Sequence, residues 1–395
     1  RMALIFYLSI ISFSLILFTS IYELFIFNNA PVLNKYYDSE PIETSLSIII
    51  PTYNEEDNIK NCLTSLSRIK NPSKEFKILI IDDSSIDGTI KNAEKCKKEL
   101  FGDQSLVEII KAGERPKDKN WVGKNWACYV GSKRVNSQFI LFIDADVVVE
   151  KYCIFNALSK SFNDKVDLLS LAPKVNCNCL AEWIVQPIMT SLLMLGFPIS
   201  DTNDPNTKTA FAAGPFMLFR RDSYEKIGGH QKIYNEIVED LALAKEIKDS
   251  DLRLNFLIAI EDISLNMYKD FGSLVEGWSK NWYLGLEKNI IKSIVASIFV
   301  FAIYSSPWLL FLLALYKFLL NNYLLIDIYT LIFSLLGIII YGSKRYWLNY
   351  KYNIPSKFWF LNGIGGLLVI YISILSIYKT YTGNNWTWKG RKLSN

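Results

Sequence analysis

Histidine is nearly absent from this chain of 395 residues, since His230 is the only one. A metal site built from several histidines is therefore excluded. The six cysteines form no Cys-x-x-Cys pair, so we expect reduced thiols in a cytosolic domain rather than a zinc site. Net charge is also small, at +4. This lacks the basic field that nucleic-acid binding needs, and no nucleic-acid partner is expected.

Long apolar runs are abundant, because half of the residues are hydrophobic. Residues 2–22, 294–316, 323–341 and 358–378 form four runs with at most one charged residue each. Each is about as long as the roughly 20 residues that a transmembrane helix needs. The sequence therefore predicts an N-terminal transmembrane anchor at 1–27 and a C-terminal membrane region of about three helices at 294–378. A cleaved signal peptide is the alternative for the first run, but no small-residue cleavage site follows it.

The basic residues near the C-terminal runs predict the orientation. Lys344, Arg345, Lys351 and Lys357 lie between the third and fourth runs, which places this loop in the cytosol. The large domain is then cytosolic, the protein is a multi-pass protein of the cell membrane, and the N-terminus is outside. The basic and aromatic tail, 379–395, conflicts with four full spans, because these would place it outside. A re-entrant last run is the alternative.

Three short apolar runs, each followed by acidic residues, organise the segment between the membrane runs. Residues 46–50, 76–81 and 139–143 are predicted strands, and helical spacing follows the first two. This rhythm indicates a parallel sheet with crossover helices, which is an α/β, Rossmann-like domain that we place at 46–270. Ligands bind such sheets beyond the carboxyl ends of the strands, where the acidic residues lie.

Asp144 and Asp146 follow the third predicted strand. Residues i and i+2 of an extended segment face the same way, so both carboxylates converge at the strand tip. Two adjacent carboxylates resist ionisation unless a cation lies between them. Oxygen ligands favour magnesium or manganese. The sequence therefore predicts a Mg²⁺ or Mn²⁺ site at these two residues; the alternative is an acidic turn without a metal.

Three motifs carry a family resemblance: Ser47-Ile-Ile-Ile-Pro-Thr-Tyr-Asn-Glu-Glu, Ile81-Asp-Asp-Ser-Ser-Ile-Asp-Gly-Thr and Phe142-Ile-Asp-Ala-Asp. In this order they resemble the family 2 glycosyltransferases with a GT-A fold, over residues 46–285. The segment Trp121-Val-Gly-Lys-Asn-Trp-Ala is similar, more specifically, to membrane enzymes that glycosylate carotenoid or hopanoid-type lipids. The resemblance implies a metal-dependent, inverting transferase with a nucleotide-sugar donor, expected to be a UDP-sugar, and a lipid acceptor.

The resemblance also implies a donor site, formed by Pro51, Tyr53, Glu55, Asp83, Lys124 and Asp144. In the family, the first three positions line the base and ribose pocket and Asp83 contacts the base. Lys124 would pair with the diphosphate. The alternatives are a helix cap for Asp83 and a solvated loop lysine for Lys124.

An acidic pair, Glu239 and Asp240, resembles the family's pair at the start of a helix. An acceptor hydroxyl must lose its proton when it attacks the sugar, and the resemblance makes Asp240 the base, with Glu239 beside it. An acceptor that is already ionised needs no base, and Asp240 would then orient it. Acids are also common at helix N-termini for electrostatic reasons alone. His230 is expected to be a packed residue rather than the base.

Lys280 lies where the sequence departs from a family pattern. Processive polysaccharide synthases carry Gln-x-x-Arg-Trp after the acidic pair, but this chain reads Glu276-Gly-Trp-Ser-Lys-Asn-Trp. The difference disfavours a polymer-forming synthase. Lys280 is predicted to take the phosphate-binding role of the missing arginine. An interfacial amphipathic segment at 271–290 is the other interpretation of this stretch.

Other functions remain open from the sequence. A polyprenyl-phosphate glycosyltransferase or a short polysaccharide synthase would change only the acceptor. A catalytically inactive membrane scaffold would keep the fold without the chemistry. The presence of Asp144, Asp146 and Asp240 argues against the scaffold.

Overall fold

The computed structural model describes residues 2–36, 40–382, 387–388 and 391–392. The chain divides into two compact units. The helical unit comprises Arg1–Asn29, Cys177–Gly196 and Tyr268–Asn384, and the sheet unit comprises Ala30–Asn176, Phe197–Met267 and Asn385–Asn395.

The helices are α1 Met2–Asn28, α2 Ile59–Leu66, α3 Thr89–Leu100, α4 Gly123–Ser132, α5 Cys153–Asn163, α6 Leu180–Gly196, α7 Ile199–Asn203, α8 Arg221–Lys226, α9 Gly229–Lys232, α10 Glu239–Asp249, α11 Phe271–Gly285, α12 Ile290–Val300, α13 Ser306–Leu319, α14 Leu325–Tyr352 and α15 Asn362–Thr382. The strands are β1 Ile42–Thr52, β2 Ser73–Asp82, β3 Val107–Lys111, β4 Phe139–Ile143, β5 Val147–Val149, β6 Leu168–Ala172, β7 Lys174–Asn176, β8 Phe216–Arg220, β9 Leu254–Ile258, β10 Ile263–Asn266, β11 Thr387–Trp388 and β12 Arg391–Lys392.

A seven-stranded sheet with the order β3-β2-β1-β4-β8-β6-β9 forms the centre of the sheet unit. Strands β1, β2, β3 and β4 run parallel, while β8 runs antiparallel to both β4 and β6. The carboxyl ends of β1, β2 and β4 therefore meet at one edge, and the amino end of β8 lies beside them. A three-stranded sheet, β5-β10-β7, and a two-stranded sheet, β11-β12, contain the other described strands.

Both faces of the large sheet are covered. Ile48 and Ile50 of β1 pack in one apolar core with α2, α3 and α5, and Ile49 packs in a second core with α4 and α10. All three side chains are fully buried. This explains why residues 48–50 of β1 form a continuous apolar run rather than an alternating one.

The three predicted strands are confirmed in place: β1 and β2 are longer than predicted, and β4 has the predicted bounds. Pro51, which we expected to follow the first strand, lies inside the end of β1 and pairs with Ile81. The α/β class with a parallel portion is correct. The antiparallel direction of β8 was not anticipated, because its apolar run resembles the runs of the parallel strands.

The helical unit contains four helices long and apolar enough to cross a membrane: Leu4–Asn28, Ile290–Leu319, Leu325–Tyr352 and Trp359–Thr382. The second is interrupted by a π-helical turn at Phe301–Ser305. Pro307 follows this turn, and its ring conflicts with the carbonyl four residues earlier, which accounts for the wider turn. The shorter apolar helix α6 belongs to the same unit, although it lies within the segment 46–270.

The loop assignment for the basic residues after the third run was wrong in part. Lys344, Arg345 and Lys351 lie within α14, which continues to Tyr352, and the first two are buried. The Nζ of Lys344 is 2.9 Å from Glu23 of α1, and the hydroxyl of Ser191 in α6 donates to the same carboxylate at 3.0 Å. The ion pair thus ties three helices together, which explains why these charges are tolerated in an apolar unit.

We predict that Lys344→Met will destabilise the helical unit, because it leaves Glu23 buried without its counter-ion. Breaking a buried pair in this way costs about 3–5 kcal/mol. The melting temperature of the purified chain in detergent should fall clearly. Lys292→Met, which removes an exposed pair with Glu287, is the matched control and should leave the melting temperature nearly unchanged. Equal melting temperatures for both variants would contradict a structural role for the buried pair.

Candidate active site

Two polar turns meet where β1 and β2 end. Because the strands are parallel and adjacent, the segments after Thr52 and Asp82 leave the sheet side by side. The backbone N–H of Asp83 donates to the carbonyl of Thr52 at 2.9 Å, and the N–H of Glu55 donates to the hydroxyl of Thr89 at 2.7 Å. The two turns are therefore fixed to each other, which positions Tyr53, Glu55 and Asp83 at the same edge.

Asp83 is buried and paired with Arg115. The Nη2 atom of Arg115 lies 2.5 Å from the Asp83 carboxylate, and its Nη1 donates to the carbonyl of Trp121 at 3.2 Å. Both groups lie against the amino end of α4, where a Cβ on Gly123 would be 2.5 Å from Asp83 Oδ2. Only a residue without a side chain leaves this pair in place.

Lys124, the second residue of α4, joins two carboxylates from distant parts of the chain. Its Nζ lies 2.6 Å from Asp144 Oδ1 and 2.6 Å from Glu239 Oε1. Burial opposes the charge of Lys124, but the two carboxylates raise its pKa well above the usual value. Burial also raises the pKa of Asp144, and Lys124 opposes that shift. The charged groups of Lys124, Asp144 and Glu239 therefore form one partly desolvated cluster.

Asp240 lies beside this cluster, at the start of α10. The N–H of Gly214 donates to its Oδ2 at 2.9 Å, and the N–H of Leu241 donates to its Oδ1 at 2.8 Å. Gly214 precedes β8, whose antiparallel direction brings it next to the end of β4. Burial, followed by the neighbouring charge of Glu239, raises the pKa of Asp240 to about 6. A carboxyl group with such a pKa can exchange a proton near neutral pH.

Comparison with known proteins identifies the arrangement. The model of the family described as "Glycosyl transferase family 2" matches residues 47–228. Over these residues the chain is similar to the family 2 glycosyltransferases. The resemblance inferred from the sequence motifs is therefore confirmed.

Curated relatives of the chain include a 4,4'-diaponeurosporenoate glycosyltransferase of Staphylococcus aureus, which is 28% identical over 244 residues, or 61% of each chain. The protein of the same name from a bovine strain has the same identity and coverage. The chain thus spans about 61% of the length of these relatives.

A solved structure extends the similarity of fold to nearly the whole chain. The mannosyltransferase PcManGT from Pyrobaculum calidifontis, in complex with GDP-Man and Mn²⁺, aligns with a TM-score of 0.52 and 14% identity. The alignment covers 95% of this chain and 99% of that one. At this identity the likeness shows the fold alone, and it confirms the GT-A fold class.

A divalent cation fits the carboxylates of the family 2 domain. Burial, and then the charges of Asp146, Glu55 and Asp144, raise the pKa of the Cys62 thiol, so these three carboxylates lie near enough to act on the same group. The ammonium of Lys124 in contact with Asp144 indicates that positive charge is stabilised there. Among the described residues, no group of three or more acidic, histidine or cysteine side chains is placed so that it could hold a metal ion by itself. Asp144 and Asp146 are the two residues predicted to hold the cation.

The role of Arg115 was not predicted from the sequence. A single arginine in the loop after β3 has no pattern that marks it, and only its contact with Asp83 reveals it.

His230 is buried against the Tyr224 hydroxyl, and burial lowers its pKa to about 3, which agrees with a packed role. Lys280 lies on α11 of the helical unit, and its predicted phosphate contact stays a prediction. In the tail, Trp386, Lys389 and Gly390 lie outside the described residues.

We predict that Gly123→Ala will weaken nucleotide binding. Its Cβ would lie 2.5 Å from Asp83 and 2.7 Å from Arg115, so the pair must move. Overpacking of this kind costs about 1–3 kcal/mol, which is roughly 5- to 150-fold in the dissociation constant if the loss falls on binding. Gly102→Ala is the matched control, because no atom lies within 4 Å of its added Cβ. Titration with a fluorescent nucleoside diphosphate measures the effect, and equal affinities for both variants would contradict a nucleotide pocket at Asp83.

Proposed function

We propose that this chain is an inverting glycosyltransferase that uses a divalent metal and moves a sugar from a nucleotide-diphosphate sugar to a membrane lipid. The reaction takes place at the cytosolic face of the cell membrane. A UDP-sugar is the proposed donor, and Mg²⁺ or Mn²⁺ is the proposed cofactor.

The observation that carries this proposal is the meeting of three carboxylates at one edge of the sheet. Asp83 follows β2, Asp144 follows β4, and Asp240 is held by Gly214 just before β8. Sugar transfer needs one protein group that binds the base of the donor, one that acts at its diphosphate and one that takes the proton of the acceptor, in that spatial order. The three positions supply one group for each.

The donor side of the mechanism rests on Asp83, Lys124 and the pair Asp144 and Asp146. Asp83, braced by Arg115, accepts a hydrogen bond from the base, with Pro51, Tyr53 and Glu55 along the base and ribose. Lys124 provides positive charge for the diphosphate. A bound metal supplies neutralisation of the charge that develops on the leaving diphosphate. Asp144 and Asp146 would hold that metal at the strand tip.

The acceptor side rests on Asp240. The two backbone N–H groups that bind its carboxylate fix its orientation, so that it can take the proton of an acceptor hydroxyl. The hydroxyl oxygen forms the new bond to the anomeric carbon as the bond to the diphosphate breaks. Attack from the face opposite the diphosphate inverts the anomeric configuration. Glu239 lies beside the base and keeps its pKa high.

A lipid acceptor is proposed because of the helical unit. A family 2 domain needs no membrane helices to act on a soluble acceptor, yet the described part of this chain includes four helices of sufficient length and apolarity. The curated relatives are named for a carotenoid-type substrate, which agrees with a lipid. The exposed Lys351, near the end of α14, and Lys357, which follows it, favour a cytosolic sheet unit.

A transfer assay tests the proposal. Purified protein in detergent, mixed with membranes of its host and Mn²⁺, is given UDP-, GDP- and dTDP-sugars with labelled sugar in turn. We expect label in the organic-solvent extract for one donor. Label only in the aqueous or insoluble fraction would replace the lipid by a soluble or polymeric acceptor. Nucleotide binding without transfer to any fraction would favour the inactive scaffold.

A further inference from the structure

Lys124 contacts residues on both the donor side and the acceptor side of the site. Asp144 belongs to the donor side and Glu239 to the acceptor side, and the Nζ of Lys124 lies 2.6 Å from each. Gly214 closes the same space, since a Cβ on it would lie 3.4 Å from the Lys124 Nζ and 3.1 Å from Asp240 Oδ2. The position of the ammonium is therefore shared by both halves of the reaction.

The charges around Lys124 do not allow it to serve every partner at once. Asp144 and Glu239 contact it, and Asp240 lies beside Glu239. The buried Cys128 thiol, on the next turn of α4, has a raised pKa and adds no charge. One ammonium thus faces three carboxylates. A donor would bring a diphosphate and a divalent cation to the same place, and the cation would compete with the ammonium for Asp144.

We propose that Lys124 exchanges between two positions and thereby couples metal binding to nucleotide binding. In the observed position it bridges Asp144 and Glu239. In the second position it contacts the diphosphate of a bound donor, which leaves Asp144 to the metal and Glu239 to the acceptor side. A lysine suits this exchange, because its ammonium is a point charge on a flexible four-carbon chain and can move without a change in the backbone.

The exchange makes metal affinity depend on the nucleotide. Without a nucleotide, a metal must displace the ammonium from Asp144. With a nucleotide, the ammonium gains the diphosphate as a partner and the displacement costs less. The coupling is reciprocal, so the metal also tightens nucleotide binding. This inference rests on the proposed metal-dependent function, but it concerns binding and can be measured without any acceptor.

The test measures Mn²⁺ affinity by electron paramagnetic resonance of free Mn²⁺ on the full purified chain, with and without UDP or GDP. For the wild type we expect weak binding that the nucleotide tightens at least about 5-fold, the lower end of typical coupling factors. For Lys124→Met we expect Mn²⁺ binding without nucleotide to be at least about 5-fold tighter than in the wild type, and the nucleotide effect to shrink.

Two further variants complete the design. Lys124→Arg keeps the positive charge, so its Mn²⁺ binding without nucleotide should be as weak as that of the wild type. This variant also provides a test if Lys124→Met does not fold. Lys133→Met removes an exposed lysine at the other end of α4 and should match the wild type in all measurements.

The opposite results overturn the inference in distinguishable ways. Unchanged or weaker Mn²⁺ binding by Lys124→Met, with intact nucleotide-dependent binding by the wild type, would refute the exchange but leave the proposed function standing. Mn²⁺ binding by Lys124→Arg as tight as that expected for Lys124→Met would refute the role of the charge. No Mn²⁺ binding by the wild type, even with saturating UDP or GDP, would remove both the exchange and the proposed metal chemistry.

Discussion

Asp240→Asn should lower kcat for sugar transfer by about 100- to 10,000-fold, the usual contribution of a positioned general base. Asparagine keeps the size of the side chain and can keep an acceptor oxygen for the N–H of Gly214. It cannot take a proton. The dissociation constant of the donor should change little, because Asp240 lies on the acceptor side. Transfer kinetics with saturating donor measure the loss.

The rate should also depend on pH with a defined direction. Burial raises the pKa of Asp240 to about 6, and only the ionised carboxylate can act as the base. The rate should therefore rise as pH increases through about 6 and level off above it, and it should fall as pH decreases. The rise should be missing from the residual rate of Asp240→Asn.

The stability of the Asp240→Asn variant provides an independent check. A folded-state pKa above the unfolded value means that folding disfavours the ionised form, so the charge costs stability at neutral pH. Asparagine removes that cost, and the melting temperature should not fall. Asp249→Asn, at the exposed end of α10, is the matched control and should keep full activity. A loss of less than about 10-fold for Asp240→Asn would be well below general-base catalysis and would mean that the acceptor arrives already ionised.

Asp144→Asn and Asp146→Asn should abolish metal-dependent donor binding. Each variant removes a charged oxygen ligand from the proposed metal position. Loss of a direct ligand should cost at least the 10- to 100-fold in affinity that is typical of outer-shell partners. Mn²⁺ binding in the presence of nucleotide measures the effect. Chelation with EDTA should reduce sugar transfer by the wild type to the residual rate of these two variants.

The two variants also separate metal binding from the Lys124 contact. Asp144→Asn removes both, whereas Asp146→Asn leaves the ion pair between Lys124 and Asp144 intact. Asp118→Asn, on an exposed loop of the same unit, is the control and should bind Mn²⁺ as the wild type does. Full Mn²⁺ affinity in both site variants would move the metal away from the end of β4.

The part of the fold that the sequence predicted is the part with local signals. Strands β1, β2 and β4 contain short apolar runs that are followed by acidic turns, and parallel packing with helices on both faces explains why these runs do not alternate with polar residues. The position of β8 could not be predicted in the same way. Its direction is set by long-range pairing with β4 and β6, and no residue within it encodes that choice.

The helical unit was predicted by length and hydropathy, and the exceptions are polar residues with distant partners. Lys344 and Arg345 were read as loop residues because charge usually ends an apolar run. Instead, α14 continues through them, since Glu23 neutralises Lys344 and the hydroxyl of Tyr341 and the carbonyl of Pro355 bind Arg345. A sequence does not display a partner that lies in another helix.

The same limit applies to the site. Motifs placed Asp83, Asp144 and Asp240, because each follows a recognisable strand or begins a recognisable helix. The pairs between Asp83 and Arg115 and between Lys124 and Glu239 join segments that are far apart in the chain. Only the assembled sheet brings them together, so the donor and acceptor sides could be predicted separately but not their connection.

Metal-dependent transfer of sugar to a lipid can be measured in liposomes. Purified protein is reconstituted in liposomes of host lipid with the labelled nucleotide-sugar that it uses, and label in the organic extract is followed over time with Mn²⁺ or with EDTA. The account predicts steady incorporation with Mn²⁺, none with EDTA, and almost none with Asp240→Asn. Equal incorporation in the presence of EDTA, or no incorporation by the wild type with any donor, would contradict it.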